Sequence, residues 1–181
     1  MKNIQSSAFI DKCTSRLHYE LNGIQLHQLI LEKCPDQYKA RFEKLLKRQQ
    51  IHIDLLGSVL HRYGANPYAV TPSAKATDRE FHGTIKGAQT SDFRQLMDTL
   101  FSVELVGTAN WEFLVMVAKK VGDKDALEKF SKVLLEKIEH LRFIQQYITK
   151  DLTGKTTRRP TIRPKAKTAK PIFQHASRTH Q

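Results

Sequence analysis

Apolar residues recur at helical spacing in four long blocks, and the first 150 residues contain almost no alternation typical of strands. The spacing predicts helices over residues 9–33, 36–63, 91–121 and 125–150. Pro35 prevents the first helix from continuing and can open the second, while Gly64 suits the end of the second helix. Ser91 can cap the start of the third helix, and the segment GDKD makes a tight turn into the fourth.

The segment 65–90, ANPYAVTPSAKATDREFHGTIKGAQT, is too polar and too broken for a long helix. Short loops join helices 1–2 and 3–4, so each pair is expected to form an antiparallel hairpin, and the long middle segment suits a crossover between the hairpins. We therefore predict an all-α fold, an antiparallel four-helix bundle of two helical hairpins joined by a long crossover, in residues 1–151. Residues 152–181, with three prolines and scattered basic residues, are predicted to be a disordered C-terminal tail.

Two stretches of eleven residues match each other at an offset of 88 residues, FEKLLKRQQIH in helix 2 and FSKVLLEKIEH in helix 4. On a helical wheel each copy places a polar residue at the centre of its apolar stripe and a histidine three positions later. The polar residues are Gln49 and Lys137, and the histidines are His52 and His140.

Helices 1 and 3 also share a motif, ELNG at residues 20–23 and ELVG at residues 104–107. The apolar neighbours of Glu20 and Glu104 predict that both side chains point inward, where an ionised group needs a counter-charge or a proton. His27 lies on the inner flank of helix 1 and is either part of the same group or a packed histidine. Together these positions predict a polar site inside the bundle.

This helix order and this set of inward residues resemble the ferritin-like superfamily. In its di-iron members, single glutamates from helices 1 and 3 and Glu-x-x-His from helices 2 and 4 hold two metal ions. The resemblance implies metal ligands at Glu20, His52, Glu104 and His140. Gln49 and Lys137, however, occupy the positions of the two bridging glutamates.

Two interpretations of this departure stay open. In one, Lys137 neutralises Glu20 and Glu104 in place of a metal, and Gln49 forms hydrogen bonds within the network. In the other, the two glutamates and two histidines hold a single Fe, Mn or Zn ion, and an activity would be that of a ferritin-like, metal-dependent oxidoreductase. Glu136, four residues before His140, is then a further ligand, or else a partner in a surface salt bridge.

The formal net charge of +12 is concentrated at the C-terminus, because residues 150–181 contain nine Lys/Arg and one Asp, a net of +8 that leaves +4 for the first 149 residues. Spaced basic residues among prolines are typical of a segment that binds nucleic acid or another acidic partner. The residues expected to make these contacts are Arg158, Arg159, Arg163, Lys165, Lys167 and Lys170.

Other features bound the function. The chain has no apolar run like that of a signal peptide and no stretch of roughly 20 apolar residues, so a cytoplasmic protein without a membrane span is expected. Gly-rich phosphate loops, Cys-x-x-Cys pairs and Ser/His/Asp arrangements are not found. The sequence leaves open whether the chain forms a homo-oligomer.

Overall fold

The computed structural model describes residues 2–153, which form five helices and no strand. The helices are α1 (Lys2–Lys33), α2 (Asp36–Arg62), α3 (Pro72–Ala88), α4 (Phe93–Val121) and α5 (Lys124–Thr153). The all-α class is therefore confirmed, and the four long predicted helices correspond to α1, α2, α4 and α5. Helix α5 continues two residues beyond the predicted boundary of the helical domain at residue 151.

The ends of the long helices follow local chemistry. Gly64 and Gly122, with φ angles of 71° and 78°, adopt the left-handed conformation after α2 and α4 that a side chain disfavours. The backbone N–H of the next residue donates to a carbonyl in the last turn of the helix, from Ala65 to Leu60 and from Asp123 to Ala118, as in the Schellman motif. The N-cap of α4 is Asp92 rather than the predicted Ser91, because Asp92 and Gln95 form a reciprocal capping box.

Two apolar clusters fill the space between the four long helices. One contains the first half of α1 with the second halves of α2 and α4 and the start of α5, and its members include Leu17, Leu56, Trp111 and Phe130. The other contains the opposite helix halves, including Leu26, Phe42, Leu100 and Ile144. Because the first half of α1 packs against the second halves of α2 and α4, α1 runs antiparallel to both. Because the start of α5 packs against the second half of α4, α5 runs antiparallel to α4. On α2, α4 and α5 the buried polar residues lie between the contributions of the helix to the two clusters, and on α1 Glu20 does so.

The segment predicted to be an irregular crossover contains helix α3, so that part of the prediction is wrong. Thr71 accepts a hydrogen bond from the backbone N–H of Ala74, and Pro72 occupies the first turn, both of which favour a helix start. Ala74, Phe81 and Ala88 are buried at a spacing of seven residues. This narrow apolar stripe is sufficient because α3 covers only one neighbouring surface.

That surface is formed mainly by α1, along which α3 runs in the same direction, with further contacts to α4. Hydrogen bonds join α3 and α1 at three successive levels, from Ser73 to Asp11, between Thr77 and Ser15, and from Asn22 to Asp78. The rings of Tyr19 and Phe81 meet edge to face, with centroids 4.6 Å apart. Helix α3 is thus fixed to α1 by specific contacts.

Within the described residues, α4 alone is long and apolar enough to cross a membrane by length and composition, with a mean hydropathy of 1.3 over an 18-residue window. The sequence analysis did not single it out because Glu104 and Asn110 interrupt its apolar run. In the fold, α4 buries Glu104 and Trp111 and leaves Leu105 and Met116 exposed.

Candidate functional site

The residues expected to form an interior polar site are buried in the layer between the two apolar clusters. Each is at most 4% exposed, and the set comprises Glu20, Gln49, His52, Glu104, Lys137 and His140. Glu136 differs, since its side chain is 40% exposed at the edge of this layer. The inward positions read from the sequence are therefore confirmed for these six side chains.

Lys137 lies at the centre of the site. Its Nζ atom is 3.2 Å from Oε2 of Glu20 and 3.3 Å from Oε2 of Glu104. Burial by itself would raise the pKa of each carboxyl, but the neighbouring cations outweigh it, and the pKa of both glutamates is lowered. The cations responsible are Arg16 and then Lys137 at Glu20, and chiefly Lys137 at Glu104. Both glutamates are therefore ionised at neutral pH and neutralised by the chain itself.

Arg16 is a second buried cation that the sequence analysis missed. Its Nη2 atom donates to Oε1 of Glu20, and Nε1 of Trp111 donates to the same oxygen at 2.7 Å. With Arg16 included, two carboxylates meet two cations in the core. Its burial could have been predicted from the sequence, because Arg16 precedes Glu20 by four residues and so lies on the same face of α1.

The glycines of the repeated motifs ELNG and ELVG make space for this network. A Cβ atom at Gly23 would collide with the side-chain amide of Gln49, which donates a 2.8 Å hydrogen bond to the backbone carbonyl of Glu20. A Cβ atom at Gly107 would lie 3.2 Å from Nη2 of Arg16. The repeat thus combines an inward glutamate with a glycine that admits a polar side chain from a neighbouring helix.

His52 and His140 face the gap between α2 and α5. His52 donates from Nε2 to Oε2 of Glu136 at 3.3 Å, and Nη1 of Arg48 donates to Nε2 of His140 at 3.3 Å. Burial lowers the pKa of both imidazoles, and Lys137 lowers both further against partial compensation by the buried glutamates. The pKa of His140 falls to about 3. Both rings are therefore neutral at pH 7.

His27 belongs to the edge of the same network. Its Nδ1 atom donates to the backbone carbonyl of Gly23 at 3.0 Å, and its Nε2 atom lies 3.9 Å from Oε1 of Glu104. Burial lowers the pKa of this imidazole, although Glu104 opposes the shift. His27 is consequently a neutral packed histidine beside the ion pairs.

The arrangement does not fit a resident metal ion. Among the described residues, no three or more His, Cys, Asp or Glu side chains are grouped so that they could hold one. Both glutamates bond to the ammonium of Lys137, and the two histidines bond instead to Glu136 and Arg48. A Fe, Mn or Zn ion would have to displace a buried ammonium and add two positive charges to a balanced group.

No protein-family model matches the chain, and no curated protein or solved structure does either. The predicted nucleic-acid-binding residues lie outside the described residues, namely Arg158, Arg159, Arg163, Lys165, Lys167 and Lys170. The interior network is therefore the site that can be interpreted from geometry.

Replacing Lys137 by methionine should lower the free energy of unfolding at pH 7 by about 3–5 kcal/mol, because two buried carboxylates then share one cation. Urea denaturation followed by circular dichroism measures this. Adding Glu104→Gln to Lys137→Met should recover part of the loss, since one uncompensated charge disappears. Lys132→Met, at an exposed site on the same helix, is the control and should leave the urea midpoint close to that of wild type. A Lys137→Met protein as stable as wild type would contradict this account of the network.

The free energy of unfolding should fall as the pH drops from about 6.5 towards about 4.5. In this range the histidines bind protons in the unfolded chain but stay neutral when they are buried in the folded protein. The pKa is lowered in the folded state at His27, His52 and His140. Below about 4.5 the two glutamates, whose pKa values are also lowered, add to the loss. Urea titrations across this range should show that His140→Gln reduces the slope by about 1 kcal/mol per pH unit. His82→Gln replaces an exposed histidine and serves as the control, and an unaltered slope in His140→Gln would be the contrary result.

Proposed function

We propose that this protein is a ferritin-like four-helix bundle that works without a metal and serves as a binding protein. In this proposal α1 and α2 form the first hairpin, α4 and α5 form the second, and the crossover carries the additional helix α3. The helix order, the antiparallel directions and the inward positions of the glutamates and histidines support the ferritin-like assignment.

The observation that carries the metal-free proposal is the position of Lys137, whose Nζ atom lies within 3.4 Å of both buried glutamates. Its ammonium supplies a positive charge at the position of a bridging ligand, so the carboxylates that would hold a metal are already neutralised. Because ferroxidase and oxygenase reactions of this superfamily require the metal centre, a bundle of this kind retains binding rather than redox chemistry.

We propose nucleic acid as the partner and residues 152–181 as the segment that binds it. The composition of this segment supports the proposal, and nearly all of the segment lies outside the described residues. Its basic residues are separated by proline and small residues, so several can reach successive phosphates of an extended backbone. Phe173 is its only aromatic residue, which favours phosphate contacts over stacking on bases. The expected binding is therefore independent of base sequence and sensitive to salt.

Fluorescence anisotropy with a short labelled DNA duplex tests this proposal on the full chain. Neutralising about six phosphates predicts a slope near −5 for log K against log salt concentration. Replacing the six predicted contact residues of the tail by glutamine should abolish binding. Chelators should have no effect.

A matched control removes the same charge from the helical part of the chain. It replaces six exposed lysines by glutamine, at Lys44, Lys47, Lys75, Lys86, Lys119 and Lys120. This variant should keep most of the affinity and the same salt slope. Equal loss in both variants would show a diffuse charge effect and contradict the tail as the binding segment. Binding of polyglutamate as tight as that of DNA would instead favour acidic proteins as partners.

A further inference from the structure

A cavity of about 280 Å³ lies between α1, α3 and α4, apart from the gap between α2 and α5. Its lining combines polar and charged side chains with apolar ones, including Lys12, Arg16, Asn110, Val106, Phe113 and Leu114. Concave sites in which polar groups converge beside apolar surface are typical of small-molecule binding, and this volume suits a small ligand.

Arg16 reaches this cavity from the buried network. The Cζ atom of its guanidinium is 4.5 Å from the ring centroid of Tyr19 and 5.4 Å from that of Trp111, so the group is held between two aromatic rings. Only 3% of Arg16 is exposed, and within residues 2–153 its Nε and Nη1 atoms have no hydrogen-bond partner. Buried N–H donors are nearly always paired in proteins. These donors therefore favour a ligand that brings an acceptor into the cavity.

The charges around the cavity indicate what kind of acceptor fits. Lys12 adds a second cation at the solvent side, with Nζ 5.9 Å from the ring centroid of Phe113, and Glu80 adds one carboxylate. The guanidinium of Arg16 is already paired with Glu20, so the cavity has no excess of buried positive charge. The unpaired N–H donors of Arg16 and the nearby ammonium of Lys12 favour a ligand with a single carboxylate, and Glu80 disfavours a second negative charge. Val106 and Leu114 provide apolar surface for the rest of the ligand.

The walls of the cavity are held in place by contacts between helices. The hydroxyl groups of Ser15 and Thr77 are 3.0 Å apart, and the hydroxyl of Tyr19 donates to the backbone carbonyl of Val103 at 2.6 Å. The ring of Tyr19 also packs against Phe81. A site whose walls are already ordered loses less conformational entropy when a ligand binds.

We propose that this cavity binds a small monocarboxylate with an apolar or aromatic body. The carboxylate accepts hydrogen bonds from Arg16 and is attracted by Lys12, and the body lies against Val106 and Phe113. This inference does not depend on nucleic-acid binding by residues 152–181, because none of the lining residues belongs to that segment.

Titration of the full-length, isotope-labelled protein with benzoate, followed by amide NMR shifts, tests the proposal. Saturable shifts are expected in the parts of α1, α3 and α4 that line the cavity, with a Kd of about 1 mM or tighter. Benzamide has nearly the same shape without the charge and should bind at least about tenfold more weakly. Inorganic phosphate should also bind more weakly, since it has no apolar body. Benzamide binding as tight as benzoate, or the lack of saturable benzoate shifts, would overturn the proposal.

Variants separate the cavity from unspecific binding of anions. Val106→Trp should fill the cavity and abolish binding, and Lys12→Gln should weaken it about threefold. Arg16→Lys keeps the charge beside Glu20 but removes the planar set of donors, so about a tenfold loss is expected. The exposed control Lys120→Gln should bind like wild type. Should Arg16→Lys fail to fold, the first two variants decide, and unchanged affinity in Val106→Trp would place benzoate elsewhere and refute the site.

Discussion

Two carboxylates from α1 and α4 enter the core of this protein, and the cost of removing their charges from water governs the residues around them. An isolated ionised carboxylate cannot be buried at neutral pH without a strong penalty. Lys137 of α5 offsets it by contacting both Glu20 and Glu104, and Arg16 adds a second cation at Glu20. The ion pairs therefore join α1, α4 and α5 at one level, between the two apolar clusters.

Several features follow from this constraint. The guanidinium of Arg16 needs space beside α4, and Gly107 provides it because it has no side chain. The carboxylate of Glu20 needs a further hydrogen-bond donor, and the indole N–H of Trp111 supplies it. Burial lowers the pKa of His52 and His140, and the positive charge of Lys137 lowers it further, so the two imidazoles stay neutral. One lysine thereby contributes to the protonation states of residues on three other helices.

The sequence allowed the interior site to be predicted because its signal is periodic within single helices. The 88-residue offset aligned Gln49 with Lys137 and assigned both to the apolar stripe. The C-terminal ends of all four long helices lie within three residues of the predicted ones, although α1 begins at Lys2 rather than at residue 9. Arg16 was missed because arginine is usually exposed, so only its distance from Glu20 marked it. Helix α3 was missed because three buried residues in seventeen form too sparse a pattern. The cavity depends on how three helices are rotated against one another, which periodicity in one helix does not specify.

Elemental analysis of purified protein after exposure to Fe, Mn and Zn salts tests most directly whether the ammonium of Lys137 occupies the core in place of a metal ion. Wild type should retain no stoichiometric metal, whereas the double variant Gln49→Glu, Lys137→Glu, which introduces two carboxylates and removes the cation, should gain it. Wild-type protein that retains close to one metal ion per chain and loses it in His52→Ala would contradict the claim.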